Sequence, residues 1–295
     1  QFVGGWYDIL LPWMLEDYAA LRAAGHSPQL RLGPWTHTAP GLVGAGPRDG
    51  LAWLRWHLLG DRAGVRSSPV RVYVTGERSG GGWRDLESWP PPGSAERRLW
   101  LGGGGALDSG PPNGSGSDGY RYDPHDPTPS VGGPVLLARH PVLDNRELES
   151  RGDVLTYSSP PLTEVVEAVG PVRIELWARA SSDHFDLFAR VCDVDLEGRS
   201  WNICDALARI APERFERSGD GIWAVAFALW PIGHRFEAGH RIRVQVSSGA
   251  HPRYARNPGT GEDPITATAL SAVDVEILHG GGHPSALVLP TAAGA

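Results

Sequence analysis

Hydrophobic positions change their spacing partway along the chain. After Pro12, the residues Leu15, Tyr18, Ala19 and Leu21 recur at helical intervals and Gly25 supplies a stop, which predicts a helix. Phe2-Val3-Gly4-Gly5 reads as a strand running into a loop, and Gln29-Leu30-Arg31-Leu32 as a second strand running into Gly33-Pro34. Asp49 is expected to cap a second helix that carries Leu51, Leu54 and Leu58 on one face. A strand, loop and helix repeated in this order is an α/β arrangement. Such sheets place functional groups in the loops beyond the carboxyl ends of their strands.

From about residue 69 the period falls to two. Val70–Val74 alternates as a strand, and Pro90-Pro91-Pro92-Gly93 is the sharpest break in the chain. It divides the expected domains into residues 1–94 and 95–295. Short apolar runs follow at Arg98–Leu101, Val154–Tyr157, Val172–Trp177 and Phe185–Val194, then at Ile222–Ala228, Ile242–Val246, Val273–Ile277 and Ala286–Leu289. Separated by Gly, Pro and Asp, they predict an antiparallel β-sandwich or jelly roll. The Gly/Ser-rich stretches Gly102–Gly105 and Asn113–Gly119 read as flexible connectors.

Composition narrows the function. Gly (39) and Pro (26) are abundant, as a turn-rich β protein requires. The 27 basic residues are all Arg, and the net charge of −7 leaves no basic footprint for nucleic acid. No apolar run approaches the ~18 residues of a membrane span and no signal-peptide pattern opens the chain, so no membrane association and a cytoplasmic location are expected. The chain opens Gln1-Phe2-Val3 and its single Met is Met14, the mark of a fragment or a processed product.

Two loop residues stand out as chemistry. Asp8 follows the first strand behind two glycines, and His37 ends Gly33-Pro34-Trp35-Thr36-His37 directly past the second. An acid and then a His at successive strand ends is how the latter part of a Ser…Asp…His triad is laid out in α/β-hydrolases. The nucleophile is missing from the pattern, because no Ser has the Gly-x-Ser-x-Gly setting of a nucleophile elbow. Other motifs fall away. Asp193-Val-Asp195-Leu-Glu197-Gly198 begins like a calcium loop, but its twelfth position is Cys204, and a β-hairpin turn explains it better. Cys192 and Cys204 meet across that hairpin; a disulfide is open to them, while the absence of a secretion signal favours reduced, buried thiols. No Cys-x-x-Cys, no helical His pair and no Lys for a phosphate loop occur, so no metal and no cofactor are expected. Eight of the tryptophans crowd the first hundred residues, where they can pack domains together or line an apolar pocket.

With these residues identified, the chain resembles the C-terminal half of the CocE/NonD hydrolases, the group of cocaine esterase, α-amino-acid ester hydrolases and X-Pro dipeptidyl-peptidases. Gly5-Trp6-Tyr7-Asp8 is similar to that family's triad-Asp segment, and Gly33-Pro34-Trp35-Thr36-His37 to its triad-His segment. Further likenesses are Trp83-Arg84-Asp85, Tyr122-Asp123-Pro124, Asp144-Asn145-Arg146, Gly239-His240-Arg241 and Arg256-Asn257-Pro258-Gly259, in order along the whole chain.

The resemblance implies the tail of an α/β-hydrolase domain followed by a jelly roll of galactose-binding-like type. It also implies an acyl-enzyme mechanism on an ester or amide, with His37 as general base and acid and Asp8 as its orienting partner. By the same resemblance Leu10, Leu136 and Leu137 line the acyl pocket. The family's serine, one oxyanion donor and its helical cap would precede Gln1, so an N-terminal hydrolase and cap segment is the expected partner and the chain alone is expected to be inactive. The rival reading is a Trp-rich, non-catalytic β-sandwich that binds carbohydrate or another domain. A second chain supplying the serine, and a homodimer, are also compatible with the sequence.

Overall fold

The computed structural model describes residues 1–76, 81–136 and 140–291. The first part is a four-stranded sheet. Strands β1 (Phe2–Tyr7), β2 (Leu30–Thr36) and β3 (Val70–Val74) run parallel, and β4 (Gly82–Leu86) closes the order β1-β2-β3-β4 antiparallel to β3. Helix α1 (Leu11–Ala23) connects β1 to β2, and α2 (Pro40–Leu59) connects β2 to β3. Leu30, Leu32, Val70 and Val72 pack with Trp6, Tyr7, Leu11 and Tyr18 in one apolar cluster.

Helix α1 starts and stops as its pattern predicts, with Pro12 in the first turn. Helix α2 differs from expectation. It begins at Pro40 and passes through the glycine-rich stretch to Leu59, so Asp49 lies in its interior and is not a cap. The buried Asp49 carboxylate instead meets Arg31 of β2 and Arg66, each at 2.8 Å. A buried carboxylate needs such partners, and this ion cluster ties the helix to the sheet.

The rest of the chain is one large β-sandwich. Its strands are β5 (Ala95–Gly102), β6 (Ala106–Asp108), β7 (Ser115–Tyr122), β8 (Leu155–Ser158), β9 (Val166–Ala180), β10 (Phe185–Val194), β11 (Ser200–Ile210), β12 (Trp223–Phe236), β13 (Arg241–Ser247), β14 (Val273–Gly280) and β15 (Ala286–Thr291), with a short helix α3 (Arg146–Glu149). The hydrogen-bonded order is β11-β10-β13-β8-β6-β5-β15-β9-β14-β7, and β12 pairs with the other edge of β9. The Gly/Ser-rich segment read as a flexible connector is strand β7, held by eight residue pairs against β14. Cross-strand bonding to β14 outweighs its weak strand propensity.

The sandwich core lies between Ile174, Leu176 and Ala178 of β9 and Leu187, Ala189 and Val191 of β10, with Val244 and Val246 of β13 beside them. Every residue of β10 is buried. Its second face carries Asp186, Arg190 and Cys192, and polar partners from flanking strands and loops satisfy the two charges. Cys192 stands opposite Asn202 and Cys204 opposite Val191, and both thiols are free.

A hydrogen-bonded seam joins the two parts. Thr75, just past β3, bridges to His234 of β12: Thr75 N donates to the Gly233 carbonyl at 2.8 Å, and Arg235 N to the Thr75 carbonyl at 2.8 Å. His234 is buried and links Thr75 Oγ1 (2.8 Å) to Asp193 (3.0 Å), whose other oxygen meets His240 Nδ1 at 2.9 Å. Trp6 lies beneath this seam. Its indole N–H donates to the Tyr73 carbonyl at 2.6 Å, and its ring packs on Gly233 and against Trp89. A Cβ at position 233 would stand 2.7 Å from the Trp6 ring and 3.1 Å from the Tyr73 carbonyl. Gly233→Ala is therefore expected to lower stability by about 1–3 kcal/mol. Gly152→Ala, where a Cβ meets nothing within 4 Å, provides the control in thermal or urea unfolding. Equal midpoints for the two variants would contradict this account of the seam.

Candidate active site

The site is built where β1 and β2 end. The two strands pair in step from Phe2↔Leu30 to Gly5↔Gly33, and the next pair is Tyr7↔Thr36. One residue of β1 therefore spans the same distance as two of β2, a bulge placed at Pro34-Trp35. In the unshifted register Asp8 would face Thr36. The extra residue brings His37 opposite Asp8 instead.

The glycines make this approach sterically feasible. A Cβ on Gly5 would collide with the Trp35 carbonyl, and one on Gly33 with the Trp35 ring. Trp35 in turn stacks at 5.6 Å from Trp83 of β4, which fixes the bulge from the far side.

Asp8 and His37 are in direct contact. His37 Nδ1 lies 3.0 Å from Asp8 Oδ1, and the same oxygen accepts the Leu10 backbone N–H at 2.9 Å. The Asp8 carboxylate is buried, with 7% of its side chain exposed, whereas the imidazole is 37% exposed. A carboxylate oxygen only accepts, so Nδ1 carries a proton and Nε2 is left as a base. Among the described residues none takes a hydrogen bond at Nε2.

The remaining predicted residues divide. Leu10 is half exposed beside Asp8, and Leu136 is 46% exposed. The sandwich loop holding Leu136 reaches the turn after His37, where Thr38 Oγ1 donates to the Leu136 carbonyl at 3.4 Å. Leu137 lies outside the described residues. Arg190 anchors this loop from beneath, donating to the Val131 carbonyl at 2.5 Å and to Asn145 at 2.6 Å. Sequence reading missed Thr38 and Arg190, whose contacts span about a hundred and about sixty residues. Pro34 inside a strand was a readable sign of the bulge.

The two cysteines are unsuited as nucleophiles. Burial pushes the Cys192 thiol up to about 12 and raises Cys204 well above its ordinary value, which holds both as thiols at neutral pH. No group of three or more metal-ligating side chains occurs among the described residues.

Comparison with known proteins follows the same geography. The family described as the X-Pro dipeptidyl-peptidase C-terminal non-catalytic domain matches residues 63–288. The chain belongs to that family. Asp8 and His37 lie ahead of the matched region. Cocaine esterase from Rhodococcus sp. (strain MB1 Bresler) is 32% identical over 97% of this chain and 55% of its own length. An α-amino acid ester hydrolase of solved structure superposes with a TM-score of 0.83 at 25% identity, over 97% of this chain and 54% of that one. A CocE/NonD family hydrolase from Staphylococcus aureus shares the fold, with a TM-score of 0.69 at 15% identity over 98% of this chain and 53% of that one. The likeness to the CocE/NonD hydrolases thus extends along nearly the whole chain, which spans about half the length of these relatives.

Gly5→Ala tests how the site is held. Displacing the Trp35 carbonyl is expected to part Asp8 from His37, removing the hydrogen-bonded Nδ1 proton signal of His37 from the ¹H NMR spectrum. An unchanged signal in a folded Gly5→Ala protein would contradict the role assigned to the bulge.

Proposed function

We propose that this chain contributes the acid and the base of a Ser-His-Asp triad to a serine hydrolase that cleaves an ester or amide bond through an acyl-enzyme. One observation carries the proposal: the 3.0 Å contact of His37 Nδ1 with a buried carboxylate, on a ring whose other edge is open. Residues 1–94 are then the last segment of an α/β-hydrolase domain, and residues 95–295 a jelly roll packed beside it. The serine, an oxyanion donor and the helical cap belong to polypeptide outside these 295 residues. That partition agrees with relatives about twice as long.

In this scheme the serine Oγ attacks the substrate carbonyl while His37 Nε2 accepts its proton. Asp8 keeps Nδ1 protonated and stabilises the imidazolium. The proton then passes from Nε2 to the departing alcohol or amine, leaving an acyl-serine. Water attacks that ester with His37 again as base, and the acid is released. Leu10 and Leu136, both exposed, supply apolar surface for the acyl group, and Leu137 joins them by resemblance. The names of the relatives, cocaine esterase and α-amino acid ester hydrolase, favour an ester as substrate. A stand-alone binding module would leave a buried acid bonded to a half-open imidazole without a purpose.

The test uses a longer chain that includes the upstream segment. There His37→Ala and Asp8→Asn are each expected to lower kcat on p-nitrophenyl acetate by about 10⁴-fold, since an orienting Asp alone is worth that much in a triad. The 295-residue chain is expected to hydrolyse the ester no faster than its own His37→Ala variant. Losses under tenfold in the longer enzyme would overturn the assignment.

A further inference from the structure

A sizeable cavity lies between helix α1 and the β-sandwich. It encloses about 740 Å³, within the range of sites for drug-sized molecules, and contains neither Asp8 nor His37. Its walls are apolar and aromatic: Trp13 from α1, Trp89 from the link between the two parts, and Leu207 and Trp230 from the sandwich. Such walls by themselves say nothing about an occupant. Arg253 and Tyr254, on the sandwich side, do.

Arg253 belongs to a charge cluster that does not balance. The Asp205 carboxylate, 1% exposed, receives two hydrogen bonds on Oδ2 from the fully buried Arg190, at 3.1 and 2.9 Å, and one on Oδ1 from Arg253, at 2.6 Å. The other partners of Arg190 are the Val131 carbonyl and the Asn145 amide, both neutral. Glu16 lies at the outer wall and is exposed to water, too well solvated to neutralise the cluster. Arg190, Arg253 and Asp205 together thus carry one excess positive charge, and an anion beside Arg253 would complement it.

Arg253 is the member that reaches the cavity. Its side chain keeps 12% exposure and stacks over Trp230 and Tyr254, with ring distances of 5.6 and 4.9 Å, while Nη2 donates to the Tyr254 hydroxyl at 3.2 Å. Stacking holds the guanidinium in one plane, the arrangement that suits a planar anion meeting it edge-on.

We propose that this cavity binds a small monocarboxylate with an aromatic or alkyl body, the carboxylate on Arg253 and the body among Trp13, Trp89 and Trp230. The site uses neither member of the Asp8–His37 pair, so it stands or falls apart from the catalytic reading.

Calorimetric titration of the 295-residue protein with 4-phenylbutyrate, against the neutral 4-phenylbutyramide, tests the proposal. The acid is expected to bind with a Kd below about 1 mM and at least tenfold more tightly than the amide. Arg253→Gln is expected to weaken the acid by about 10- to 100-fold, as loss of a charged hydrogen-bond partner does, and Arg253→Lys to restore part of it. Asp205 keeps Arg190 in both variants, and the acid-to-amide ratio of the unaltered protein decides the matter even if a variant unfolds. Equal affinity for acid and amide, or no heat from either up to about 10 mM, would overturn the proposal. So would binding that disappears in a longer chain, because the cavity is then filled by polypeptide.

Discussion

The two-against-one bulge between β1 and β2 is the constraint on which the site depends. Parallel strands in register would set Asp8 against Thr36 and leave His37 one position too far along. The bulge absorbs one residue of β2, and it fits only because Gly5 and Gly33 have no side chains where Trp35 turns back over them. Trp35 is held against Trp83, and Asp8 is steadied by the Leu10 amide. The groups that touch the acid–imidazole pair and its bulge directly are thus local to two strand ends and one edge strand.

The sandwich acts on the site at two distant places. At the seam, Thr75, Gly233 and His234 stitch β3 to β12 while Trp6, two residues before Asp8, packs beneath. At the open side, the loop anchored by Arg190 brings Leu136 to the turn after His37. The matched family domain begins at residue 63, so both contacts come from the region whose family description is non-catalytic. Its contribution here is to brace β1 and to bring the Leu136 loop to the turn after His37.

Much of this was legible in the sequence, and the reasons for success and failure are physical. Asp8 and His37 could be paired because strand ends followed by Gly or Gly-Pro leave little choice of where a loop residue goes. Helix α1 was readable from Pro12, its apolar period and Gly25. Helix α2 was readable only in its second half, from Asp49 through Leu51, Leu54 and Leu58: Gly41, Gly44, Gly46 and Pro47 argue against a helix before it, and tertiary bonds from Asp49 to Arg31 and Arg66 outweigh that propensity. Strand β7 was missed for the same reason, since its pairing with β14 reaches across some 150 residues. Long-range partners such as Arg190 with Val131, or Thr38 with Leu136, leave no local trace at all.

The central claim is that a nucleophile outside these 295 residues works through His37. Active-site labelling of a longer chain with a fluorophosphonate, followed by peptide mapping, addresses it most directly. The account predicts a single adduct on a serine upstream of Gln1, formed far more slowly in His37→Ala. An adduct on any serine between Ser27 and Ser285, or labelling indifferent to His37, would contradict it.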